Sequence, residues 1–62
     1  MNQDLIRERT KRFIGELDIP ISKFANKIGF SRELYYRWIK GDFDFSNEKV
    51  SKIDDYLRKY GF

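Results

Sequence analysis

The stretch that decides the fold runs from Ile21 to Gly41, ISKFANKIGFSRELYYRWIKG. It holds two short helical patterns on either side of Gly29. In the first, Phe24, Ala25 and Ile28 fall at i, i+1 and i+4 and share one face, while Lys23, Asn26 and Lys27 point away from it. That helix is expected to start within Pro20–Ser22 and to end near Ile28. Gly29 can take a positive φ just past its end, and Phe30 then turns inward. Ser31 is a favoured N-cap, and Glu33 suits the first turn of a second helix running from Arg32 to about Lys40, stopped by Gly41. Two helices that cross closely leave little room at their contact, so Ala25 is small. Reversing the chain in about three residues needs a left-handed residue, so position 29 is glycine. The pattern predicts a helix-turn-helix.

Charge singles out the same stretch. Residues 21–41 carry Lys23, Lys27, Arg32, Arg37 and Lys40 against Glu33 alone, a net +4. Residues 1–20 are neutral and residues 42–62 carry −1, so the whole chain's +3 has its source in the centre. A concentrated positive face is the footprint of a polyanion partner; a merely solvated helical surface is the bland alternative.

The flanks read as support. Leu5, Ile6, Thr10, Phe13, Ile14 and Leu17 recur near the helical period and predict a first helix over 3–17, capped by Asn2 or Asp4. Arg7, Arg9, Lys11 and Arg12 fall on its other faces, where pairing with Glu8 and Glu16 competes with phosphate contact. Gly15 weakens this helix by about 1 kcal/mol relative to Ala, unless it admits a neighbouring helix. Asp18-Ile19-Pro20 ends it, because proline disfavours the α conformation at Ile19. After the connector Asp42–Phe45, Ser46 caps a last helix, with Phe45 and Val50 placed as a hydrophobic staple. Val50, Ile53, Leu57 and Tyr60 form its apolar stripe. Lys49, Lys52, Asp54, Asp55, Arg58 and Lys59 form its solvated side, and Gly61 ends it. The expected fold is all-α, a small bundle of four to five helices in one domain spanning 1–62.

At 62 residues the chain has room for one small core, made largely of aromatics, which are 18 % of its residues. It has no cysteine and no histidine, which removes disulfides, thiolate metal sites and the commonest general base. Asp42-x-Asp44 and Asp54-Asp55 read as a turn and a solvated helix face, with no nucleophile–base constellation beside them. Neither an enzyme nor a cofactor or metal site is expected. No apolar run reaches the roughly 20 residues of a membrane span, and the first residues lack a signal-peptide core, so a cytoplasmic location is the expectation.

Ala25, Gly29 and the apolar positions Phe24, Ile28, Phe30, Tyr35 and Trp38 resemble the helix-turn-helix of the Cro and phage-repressor family. The likeness extends to a supporting helix before the unit and a capped helix after it. It implies a lambda-repressor-like fold and a transcriptional regulator, of phage or mobile-element origin, that binds double-stranded DNA with Arg32–Lys40 in the major groove, inside a bacterial or phage-infected host cell. By the resemblance Ser31, Arg32, Glu33, Tyr36 and Arg37 are base-contact candidates, and Ser22, Lys23 and Lys40 phosphate-contact candidates. Arg32 or Arg37 would grip guanine O6 and N7 bidentately, Glu33 would accept from cytosine N4, and Tyr36 would meet a phosphate or a thymine methyl. An i, i+4 pair with Arg37 is the equal alternative for Glu33. Trp38 is expected in the core rather than stacked on a base.

Three positions depart from that pattern. Ile21 stands where the family often has a glutamine that bridges a phosphate. Tyr35 occupies a core position usual for a smaller aliphatic, and its hydroxyl needs a partner or solvent. The last segment reads as one long helix rather than two short ones. Repressors of this kind bind as dimers, and Phe43, Phe45, Tyr56, Tyr60 and Phe62 exceed what one stripe needs; a homodimer surface and a monomer core closed by the chain end are both open readings. A protein-interaction module on the same fold is the alternative function.

Overall fold

The computed structural model describes residues 3–62. Four helices follow one another: α1 (Gln3–Leu17), α2 (Ile21–Ile28), α3 (Arg32–Ile39) and α4 (Asn47–Lys59). Among the described residues there is no strand, and the last segment is a single helix. The Asn2 cap falls outside the described residues, and Asp4 lies in the first turn of α1.

Each boundary has a local cause. At the end of α1, Asp18 takes a left-handed φ of 54°, and the Ile19 amide reaches back to the Ile14 carbonyl at 3.1 Å. Pro20 is the N-cap of α2, with no side-chain cap, and its carbonyl accepts from the amides of Lys23 and Phe24. Gly29 ends α2 at φ 107°, a conformation strained for any residue with a Cβ, and its amide bonds the Ala25 carbonyl at 2.8 Å. Ser31 and Ser46 cap α3 and α4 by accepting from the Leu34 and Lys49 amides. Such caps contribute about 1 kcal/mol each.

α1 and α2 each pack against both α3 and α4. Phe13, Phe24, Trp38, Ile53, Leu57 and Val50 lose nearly all their exposure at the centre, and Ala25 fits the α2 contact as a small residue should. Fully burying a large apolar side chain contributes about 1.5–3 kcal/mol. Phe13 gathers the end of the chain: its ring lies 5.3 Å from Tyr60, 5.6 Å from Phe62 and 5.7 Å from Tyr56, centroid to centroid.

The inner face of α1 differs from the expected one. Of the expected stripe, Ile6, Thr10 and Phe13 are buried and Ile14 is partly so, but Leu5 and Leu17 are 70 % and 44 % exposed, and Gln3 and Arg7 are buried in their stead. The helix is turned so that its N-terminal polar residues meet backbone groups of α3 and the connector. Gln3 Oε1 accepts from Trp38 Nε1 at 2.8 Å and from the Phe45 amide at 3.1 Å, and Gln3 Nε2 donates to the Phe45 carbonyl at 2.8 Å. Arg7 donates to the Trp38 carbonyl at 2.6 Å and to the Phe43 carbonyl at 2.8 Å, and pairs with Asp4 and Asp44. Of the expected pairings on α1, Lys11–Glu8 and Arg12–Glu16 form; Arg9 instead reaches Asp54 on α4 and the Phe62 carbonyl. Gly15 is not a packing notch, since open space surrounds the place a Cβ would take.

Candidate nucleic-acid interface

α3 buries Tyr35 and Trp38, and its period then turns Glu33, Tyr36, Arg37 and Lys40 outward, with Arg32 beside them at the start. Ser31, Arg32, Glu33, Tyr36 and Arg37 are therefore all exposed along one short helix and its cap. Lys40 sits at the C-cap of α3, exposed. Ser22 and Lys23 are exposed in the first turn of α2. No side chain caps that turn, and with the Lys23 and Phe24 amides on the Pro20 carbonyl it is the amides of Ile21 and Ser22 that an incoming anion could meet. Ile21 packs partly buried against the core and anchors the helix start apolarly.

Among the described residues, the basic side chains of α1 are paired and those of α2 and α3 are not, while on α4 Arg58 is paired and Lys49, Lys52 and Lys59 hold no carboxylate. Arg7, Arg9, Lys11, Arg12 and Arg58, on α1 and α4, hold carboxylates. Among the described residues, Lys23, Lys27, Arg32, Arg37 and Lys40 hold none. The positive charge of α2 and α3 is thus uncompensated at short range, the condition under which it acts on an external anion. Glu33 does not pair with Arg37; the Arg37 guanidinium carbon instead lies 5.6 Å from the Phe43 ring centroid.

Several contributors were not legible from spacing. Lys49, expected on the solvated side of α4, donates from Nζ to the Gly29 carbonyl at 2.8 Å, closing the turn between α2 and α3 with a cation at the α2 C-terminus. Phe43 supports Arg37, and Arg7 ties the C-terminal end of α3 to α1. The only advance signal for Phe43 was its place in an acidic connector after Gly41. Tyr35 is buried with its ring 6.1 Å from Phe24 and 5.6 Å from Tyr36; burial, and then the neighbouring Tyr36, push its hydroxyl up to about 12. No fully buried side-chain polar atom among the described residues lacks a partner.

The aromatics considered for a dimer surface separate. Phe45 is in the core, 4.7 Å from Phe30 and 5.2 Å from Trp38 by centroid, so it offers no outer face. Phe43, Tyr56 and Phe62 pack half-buried against the core, and Tyr60 keeps half its surface. No group of three or more acidic, His or Cys residues is placed to hold a metal among those described, and no helix there is long and apolar enough to cross a membrane. No protein-family model matches the chain, and no curated protein or solved structure matches it either.

Proposed function

We propose that this chain is a sequence-specific double-stranded DNA-binding transcriptional regulator, of the kind a Cro-like phage or mobile-element repressor represents, with α2 and α3 as a helix-turn-helix. The observation that supports it most is the unpaired charge. Among the described residues, Lys23, Lys27, Arg32 and Arg37 on two helices joined by a three-residue turn, and Lys40 at the cap, have no carboxylate partner, whereas every basic side chain of α1 has one. The major groove is about 12 Å wide and admits one helix. With α3 in it, Arg37 and Arg32 are the donors to guanine, Glu33 the acceptor from cytosine, and Ser31 and Tyr36 the adjoining contacts. Ser22, Lys23, Lys40 and the first amides of α2 take phosphates, fixing register without reading sequence.

Selection of sites from a random duplex pool, followed by titration at several salt concentrations, tests this. A preferred sequence is expected, with affinity falling steeply as salt rises. Arg37→Ala or Arg32→Ala is expected to cost about 1–3 kcal/mol and to relax preference at one base pair. Lys40→Ala is expected to weaken all duplexes alike and to lower the salt slope by about 1. Absence of duplex binding at low salt would overturn the reading in favour of a protein-interaction module.

A further inference from the structure

Arg37 is the guanine-reading candidate nearest the end of α3, and its head group rests on an aromatic ring rather than on a carboxylate. Its guanidinium carbon lies 5.6 Å from the Phe43 centroid. A carboxylate partner such as Glu33 would engage the in-plane N–H donors that base recognition needs. A ring face engages the flat side of the guanidinium and leaves that fork free.

Phe43 is itself held from three sides. Its ring stands edge-on to Phe45, 5.1 Å between centroids at 88°, and Phe45 is buried between Phe30 and Trp38. Its carbonyl accepts from Arg7 at 2.8 Å, and the same guanidinium is itself held, donating to the Trp38 carbonyl of α3 and to Asp44. The residue before it closes the link, since the Asp42 amide donates to the Arg37 carbonyl at 3.0 Å. Backbone and ring of the connector are thus fixed relative to the very residue the ring supports.

We infer that Phe43 is a specificity-determining positioning residue: its ring, packed on Phe45, and its backbone, held by Arg7, keep the Arg37 guanidinium in one orientation with its N–H fork directed outward. A long side chain that is already ordered loses less rotamer entropy on meeting a base, and a fork set at one angle tolerates fewer wrong base pairs. The inference rests on the DNA reading above.

The test compares the whole chain with Phe43→Leu, Phe43→Tyr and Arg37→Ala on the duplex chosen by the unsubstituted protein and on its single-base-pair variants. Phe43→Leu is expected to reduce discrimination about five- to tenfold at the same base pair that Arg37→Ala affects, with the parent's salt slope and a thermal midpoint lowered by several degrees but well above the assay temperature. Phe43→Tyr is expected to keep it, and Phe43→Leu added to Arg37→Ala to change nothing further. Proton NMR of the free protein is expected to show the Arg37 side-chain protons shifted upfield by the ring, and the shift lost in Phe43→Leu. Unchanged discrimination in Phe43→Leu, or no such ring shift, overturns the inference alone. If the unsubstituted protein prefers no sequence, the DNA reading falls and takes this role with it.

Discussion

Arg7 shows how far one residue can depart from what its type suggests. An arginine on a charged helix is ordinarily solvated, yet Arg7 is 7 % exposed and has acceptors on α1, α3 and the connector. Its guanidinium also lies 5.5 Å from the Trp38 ring centroid. The buried charge is tolerable because the carbonyls and carboxylates around it replace water. Arg7→Met removes those donors: the Phe43 carbonyl loses its partner, and the Trp38 carbonyl keeps the Gly41 amide. It is expected to destabilise by about 2–4 kcal/mol in a denaturant titration, a large part of the roughly 3–9 kcal/mol typical of a chain this long. Arg7→Lys is expected to recover little, because one ammonium cannot reproduce the fork. Nothing in local spacing marks Arg7 apart from Arg9 or Arg12; its role depends on where the α3 carbonyls come to lie.

At the scale of the element, helix ends were more legible than helix faces. Ser31 and Ser46 cap as their types suggest, and Gly29 and Gly41 take the left-handed conformation that stops α2 and α3. The face of α1 was misread because leucines at 5 and 17 fit the period as well as Gln3 and Arg7 would, and only the neighbours decide which side turns inward. Gly15 offers a clean check of the helical argument. It lies in the last turn of α1 with open space around it and no positive φ, so no tertiary reason for glycine is present. Gly15→Ala is expected to stabilise by about 0.5–1 kcal/mol and to raise the melting temperature by several degrees. A lowered midpoint would show that α1 is less regular there than described.

At the scale of the molecule, Arg9 and Asp54 join α1 to α4. Asp54 accepts from Arg9 at 2.6 Å, and the last helix adds Arg58 at 3.1 Å. The Arg9 hydrogen bond is the chief cause that holds the Asp54 carboxyl below the ordinary aspartate range; burial opposes it, and the charges of Arg58 and Arg9 assist. A carboxyl whose pKa is lowered on folding contributes stability that is full above its unfolded pKa, about 3.9, and is lost as pH falls through the lower folded value. Acid unfolding followed by circular dichroism is therefore expected to be shallower in Asp54→Asn. If the two curves have the same shape between neutral pH and pH 2, the link carries no pH-dependent stability. Arg9 also donates to the Phe62 carbonyl at 2.7 Å, and Phe62 packs on Phe13, so this junction holds the chain end over the core.

The order of four helices, the Ser31 and Ser46 caps, the small residue at 25, the glycine at 29 and the outward set Arg32, Glu33, Tyr36, Arg37 and Lys40 were determined by the sequence alone, because period, capping chemistry and φ preference act within a few residues. The structure decided which face of α1 is inner, that Phe45 belongs to the core, that Lys49 closes the turn, and that Arg37 rests on Phe43 rather than on Glu33. Each of these joins residues from different elements. Such choices depend on which free carbonyls and rings the packed helices bring together, and no local pattern encodes that.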